Sequence, residues 1–269
     1  QTGLKLNKVA IAAAGRTLEV QRTNITLDID INREIDTRTI KSAELEAVQE
    51  AEEALKKRLN VEDRKYYCVG YTVANYFLDD IKIENLEGHK GEKITVDVIS
   101  TFLPHTVVDS LNTVMDRLEL EVINMTLEPI AAINIAVKKD LRLLNIALVD
   151  IGAGTSDIAI TKDGTISSYA MVDMAGDEIT EKILKTYLLD YNTAEKLKLE
   201  LKNKENHEFN DIVGISYKLS TEDILEKIDD SIEILADKIS KKILELNETS
   251  PSVVFLIGGG SQIPYLTKY

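Results

Sequence analysis

A sequence with one cysteine cannot close a disulfide within itself or assemble a zinc site from thiolates. That cysteine, Cys68, sits in an apolar run and reads as a buried structural thiol, which suits a reducing cytoplasm. Basic residues are scarce too: 32 Lys and Arg against 46 Asp and Glu leave a formal net charge of −14. So acidic a chain lacks the basic footprint by which nucleic acid is held, and no nucleic-acid partner is expected. No apolar stretch approaches the roughly 20 residues of a membrane-spanning helix, and no secretory leader is visible. The three histidines, His89, His105 and His207, stand in no motif and read as solvated or locally bonded side chains rather than metal ligands. Tryptophan is absent, but apolar residues make up 44% of the 269, enough for a large core in one domain or two lobes.

Strand and helix patterns alternate along the chain, so the class is α/β. Strands are expected at residues 8–14, in the period-two stretch within 17–35, at 66–73, 94–100, 120–125 and 253–257. A helix is expected from Ser42 to Leu59, with Leu45, Val48, Ala51, Leu55 and Leu59 on its buried face. Pro104 and Glu128-Pro129 open two further helices. Gly176 starts another, and Thr193 caps the next, which runs to about Leu201. A long amphipathic helix spans about Thr221 to Leu246.

The densest chemistry lies in Leu148-Val149-Asp150-Ile151-Gly152-Ala153-Gly154-Thr155-Ser156-Asp157, followed by Ile158-Ala159-Ile160. Two β-branched runs flank a glycine-rich turn, which reads as a hairpin. Gly152 and Gly154 are free to take positive φ, and the tip's N–H groups with the Thr155 hydroxyl could cradle phosphate oxygens. Asp150 and Asp157 would repel a phosphate, so they suit a magnesium ion or its waters. The bland alternative is a buried hairpin with a glycine turn and locally bonded acids. Asp163-Gly164 marks a second hairpin turn.

Three segments then fall in order: Glu128-Pro129 at a helix start, the Asp150–Asp157 hairpin, and Leu256-Ile257-Gly258-Gly259-Gly260-Ser261-Gln262-Ile263-Pro264. This order resembles the connect 1, phosphate 2 and adenosine segments of the actin-like ATPase superfamily. Gly176-Asp177-Glu178-Ile179-Thr180 and Ala194-Glu195-Lys196-Leu197-Lys198 make the chain most similar to the FtsA family of bacterial cell division. Ile35 to about Ser100 looks like the α+β insert shared by FtsA and the pilus protein PilM.

The resemblance implies an actin-like, ribonuclease H-like fold of two lobes. Residues 1–34 and 101–147 would form an incomplete first lobe, 35–100 the insert, and 148–269 the second lobe, with hairpin and final glycine loop facing one cleft. It implies ATP and Mg2+ as ligands. Glu128 and Asp150 would orient the attacking or metal-bound water, and Asp150 and Asp157 would face the metal. Gly152, Ala153, Gly154 and Thr155 would touch the phosphates. Glu195, Lys198, Gly259, Gly260, Ser261 and Gln262 would line the nucleoside side, and Gly176 and Asp177 would also contact the nucleotide. Glu128 reads equally as an acid at a helix N-terminus, and Glu195 with Lys198 as a surface ion pair.

The implied function is self-association through the insert and recruitment of a tubulin-like division protein to the membrane. The implied location is cytoplasmic, peripheral to the inner face of the membrane, through a terminal segment absent here. The alternatives are a PilM-like pilus platform or a chaperone-type ATPase of the same fold. The family's phosphate 1 loop is missing from the front of the sequence. This chain is therefore expected to bind Mg-ATP only in the millimolar range, with any ATPase weak.

Overall fold

The computed structural model describes residues 6–13, 18–60, 66–162 and 165–269. Two compact units divide the chain: 1–143 with 162–167, and 144–161 with 168–269. The expected turn at Asp163-Gly164 lies outside the described residues, as does Gly15.

In the first unit, β1 (Lys8–Ala13) pairs in parallel with β6 (Glu121–Leu127). A second sheet holds β2 (Glu19–Asp28), β3 (Tyr66–Leu78), β4 (Ile81–Ile83) and β5 (Lys93–Pro104), in the order β2-β5-β3-β4 and antiparallel throughout. Helix α1 (Thr37–Leu59) packs on it, sharing a core of Ile35, Ala43, Ala47, Leu86, Ile94, Val96 and Val98. The sheet thus includes residues 19–28, outside the expected insert span of 35–100.

Helix α1 begins five residues before the expected Ser42, because Asp36 accepts the Thr39 N–H at 2.7 Å and caps the first turn. Its buried stripe is Ala43, Ala47, Ala51 and Leu55, spaced by four, and Leu45 is 48% exposed. The expected face is rotated because close packing on a sheet selects alanines, which carry little hydrophobic signal. Cys68 corrects a second expectation: the residue is exposed, although partial burial still pushes its thiol up, and Sγ donates to the Gly70 carbonyl at 3.4 Å.

Helices α2 (His105–Arg117) and α3 (Glu128–Ala136) begin where Pro104 and Glu128-Pro129 predict. With β1 and β6 they enclose Ala13, Val69, Leu103, Val108 and Leu127.

The second unit is built on β7 (Ile146–Ile151), β8 (Ser156–Lys162), β9 (Thr165–Val172) and β12 (Val253–Ile257), in the order β12-β7-β8-β9. Between β9 and β12 the chain forms α4 (Gly176–Tyr187), α5 (Tyr191–Glu200), the hairpin β10 (Asn206–Asn210) and β11 (Ser216–Ser220), and α6 (Thr221–Asn247). Asp190, not Thr193, caps α5, accepting the Thr193 N–H at 3.1 Å. Ser220 and Asp223 close a reciprocal capping box on α6. Ile224, Ile228, Ile232, Leu235 and Ile239 of α6 face a core shared with Val149, Ile158, Ile179, Ile183 and Leu197. The β10–β11 hairpin, unforeseen in the sequence, docks through Phe209 and Tyr217, which stack at 5.3 Å with Tyr187 edge-on to both.

Candidate functional site: a glycine-lined cavity in the second unit

The β7–β8 ladder pairs Ile151 with Ser156 and Asp150 with Asp157, so residues 152–155 form the hairpin tip. Directly opposed residues project to one face, which puts the two aspartates side by side. The Gly152 N–H closes the tip onto the Thr155 carbonyl at 3.0 Å. Gly176 and Asp177 donate their N–H groups to the Gly152 and Ala153 carbonyls at 3.1 and 2.7 Å. The first two donors of α4 are thus spent on the tip, which is seated on that helix. Gly176 is tightly seated, since a Cβ there would stand 3.2 Å from both the Gly152 carbonyl and Lys198 Nζ. Gly152 and Gly154 are not among the positive-φ residues of the described chain. At Gly152 the glycine serves close approach, since a Cβ there would stand 3.3 Å from the Thr155 carbonyl.

The left-handed glycine lies on the neighbouring strand. Strand β12 runs parallel to β7 with Ile257 beside Asp150, and Gly258 follows at φ +81°. A Cβ on Gly258 would stand 2.3 Å from Asp150 Oδ1, and one on Gly260 2.3 Å from Ile151 Cγ2. A Cβ on Gly259 would meet nothing within 4 Å. Two of the three glycines are thus required by packing on β7, and the middle one borders open space. Ser261 donates to the Gly258 carbonyl at 2.7 Å and fixes the turn.

The third wall is α5. Lys198 Nζ lies 2.7 Å from Glu195 Oε2 and donates to Thr180 Oγ1 at 2.8 Å and to the Gly176 carbonyl at 3.1 Å. The Thr180 hydroxyl donates on to Glu195 Oε2 at 2.5 Å. Burial pushes the Glu195 carboxyl up, but the hydrogen bonds from Lys198 and Thr180 outweigh it and hold it below the usual range. The pair that could have been a surface salt bridge is one node of a network tying α4, α5 and the hairpin tip together.

These walls enclose a cavity of about 360 Å³ lined by Gly152, Ala153, Gly176, Glu195, Lys198, Leu199, Lys202, Asn203, Gly259, Gly260, Gln262 and Ile263. That volume falls in the range of small-molecule sites, about 300–1,000 Å³. Eight residues picked out in the sequence meet there. Gly154, Thr155, Asp177 and Ser261 do not line it, nor do Asp150 and Asp157. Asp177 instead accepts from the Tyr191 hydroxyl at 2.9 Å. Burial alone pushes the Asp150 carboxyl up. Among the described residues, no group of three or more His, Cys, Asp or Glu side chains is arranged to hold a metal, so the two aspartates stand as a pair only. Glu128 is an exposed residue opening α3 of the first unit.

Leu199, Lys202, Asn203 and Ile263 escaped the sequence reading. A signal for two of them was present: Glu195, Lys198, Leu199 and Lys202 follow the i, i+3, i+4, i+7 spacing of one helical face.

Comparison with known proteins agrees with this architecture. A solved PilM-PilN type IV pilus biogenesis complex superposes with a TM-score of 0.61 at 17% identity, covering 93% of this chain and 62% of that one. The fold is that of the actin-like ATPases. The family model described as "Cell division protein FtsA" matches residues 147–269, the segment that contains the whole cavity. The FtsA of Bacillus subtilis is 23% identical over 275 residues, covering 97% of this chain and 60% of the relative. That of Streptococcus pneumoniae serotype 2 is 22% identical over 282 residues, covering 100% and 59%. Similarity to these FtsA proteins runs along nearly the whole chain, which spans about six tenths of each relative's length.

Proposed function

We propose that this chain is the nucleotide-binding part of an FtsA-like division protein, and that ATP is its ligand. The observation that carries the reading is the cavity in the second unit. Backbone of a seated glycine hairpin forms one wall, an open glycine another, and an acid–lysine helix face the third. Backbone N–H groups at Ala153, Gly154 and Thr155 suit phosphate oxygens. Glu195 is a ready acceptor for ribose hydroxyls, and Leu199 with Ile263 offers apolar surface to a base.

Magnesium fits the Asp150–Asp157 pair in the manner usual for that ion. One or two carboxylates hold it, and substrate phosphates and water complete the shell. Bound there, the ion would neutralise charge on the phosphates. Glu128 is proposed to orient the attacking water, as connect 1 acids do in the family. Sequence similarity to FtsA along nearly the whole of this chain favours a division role over the PilM-like platform, which shares the fold.

The α1-covered sheet of the first unit is proposed to carry self-association, and the whole protein to meet a tubulin-like division partner at the membrane. No helix among the described residues is long and apolar enough to cross a bilayer; peripheral attachment is part of the proposal. An excision meant to abolish assembly has to take β2 with residues 35–100, since leaving it would strand its ten-residue ladder with β5.

The nucleotide reading is tested by saturation-transfer NMR with Mg-ATP, which registers millimolar binding. Transfer to the adenine and ribose protons is expected, and Gly259→Val, which fills the open space beside the loop, should abolish it. No transfer, or transfer undiminished in the variant, would refute the assignment.

A further inference from the structure

One rim of the cavity carries a polar pair that the hairpin and the acid–lysine network do not use. Lys202 donates to Gln262 Oε1, joining the turn after α5 to the turn after β12. Gln262 Nε2 donates to Ser261 Oγ at 3.3 Å, while the Ser261 proton goes to the Gly258 carbonyl. The Gln262 amide is therefore held at both ends, oxygen toward the ammonium and nitrogen toward the hydroxyl. Lys198 is matched by Glu195. Lys202 has no acidic partner among the described residues, and its side chain is exposed at the cavity rim.

An ammonium donates and never accepts. After its bond to Gln262, Lys202 keeps two N–H groups for a ligand, so this rim is rich in donors. Guanine presents two neighbouring acceptors, N7 and O6, whereas adenine presents an acceptor beside a donor, the pattern that a free amide reads with both its ends. Gln262, with one oxygen lone pair on Lys202 and one N–H on Ser261, is held in that orientation and keeps one acceptor and one donor, while Lys202 adds only donors to the rim. We infer that the Lys202–Gln262 pair makes this nucleotide site tolerant of guanine, with Lys202 the residue that admits it. The inference rests on the nucleotide reading above: phosphates at the hairpin tip leave the base to the Lys202 side.

Competition between Mg-ATP and Mg-GTP, followed by saturation-transfer NMR on the intact chain, tests it. In the wild type both nucleotides should show transfer and displace one another, with affinities within about threefold. Lys202→Met keeps the stem and removes the donors, and should lower the GTP-to-ATP affinity ratio about tenfold, the order of discrimination a well-placed donor pair gives at a base edge. Lys202→Arg restores donors and should return the ratio to the wild-type value. A ratio unmoved by Lys202→Met, or ATP binding that GTP cannot displace, would overturn the inference and leave the nucleotide reading standing. Transfer from neither nucleotide would overturn both.

Discussion

Each unit contains a carboxylate wrapped by donors, and the two differ in what surrounds them. Asp97, in the middle of β5, takes Arg22 Nε and Nη2 at 2.9 and 2.6 Å and Asn75 Nδ2 at 2.8 Å. Its side chain is 7% exposed within the sheet, although the Arg22 side chain that forks onto it is half exposed. Glu195 takes Lys198 and Thr180, but its side chain is 32% exposed at the edge of a cavity. Burial pushes both carboxyls up, and their hydrogen bonds outweigh it in both cases, leaving both below the usual range. A lowered carboxylate is therefore no sign of a site by itself. What sets Glu195 apart is the glycine backbone across from it.

The largest expected effect tests that backbone. Gly260→Ala and Gly258→Ala drive a methyl into β7, the latter also at positive φ, and each should destabilise the second unit by about 3 kcal/mol. Gly259→Ala should stay within about 0.5 kcal/mol, as exposed substitutions do, and still weaken nucleotide binding. Urea unfolding of the three variants checks this, and equal losses would erase the distinction between packing and ligand glycines.

Next in size is the pair of carboxylates. Asp97→Ala strands Arg22 and Asn75 and should cost about 2–3 kcal/mol, below the 3–5 of a fully buried pair because Arg22 is half exposed. Glu195→Ala should cost about 1–2 kcal/mol and reduce nucleotide affinity, which Asp97→Ala should leave untouched. A reversal of that order would break the comparison.

The smallest effect is on acid stability. Both groups have folded values below their unfolded ones, so their contribution is complete above about pH 5 and disappears as pH falls through the lowered values. The Tm followed by calorimetry should be level from pH 7 to 5 and fall below about pH 4, with a shallower fall in Asp97→Asn. A Tm that rises on acidification would contradict the assignment.

Much of this was legible in the sequence, because apolar β-branched runs and glycine turns carry strong signals. The strand Val253–Ile257 and the helices opening at Pro104, Glu128 and Gly176 stand where the pattern puts them. What escaped has physical reasons. The β10–β11 hairpin is short and polar, and its inward Phe209 and Tyr217 are too few to show a period. The inner face of α1 is alanine in three of its four buried positions, which gives little hydropathy signal, and only Ala51 and Leu55 lie on the expected face. The tip glycines were identified for the right place but credited with a left-handed backbone that belongs to Gly258. That Asp177 and Ser261 spend bonds on Ala153 and Gly258 depends on loops meeting in space, which spacing along the chain cannot reveal.

The central claim is that the hairpin tip and the final glycine loop act on one nucleotide. Amide NMR of the chain titrated with Mg-ATP tests it most directly. The N–H signals of Ala153, Gly154 and Thr155 should move together with those of Gly259 and Gly260 along one binding curve, while Arg22, Asn75 and Asp97 stay still. Shifts confined to one of the two loops, or centred on the sheet around Asp97, would contradict it.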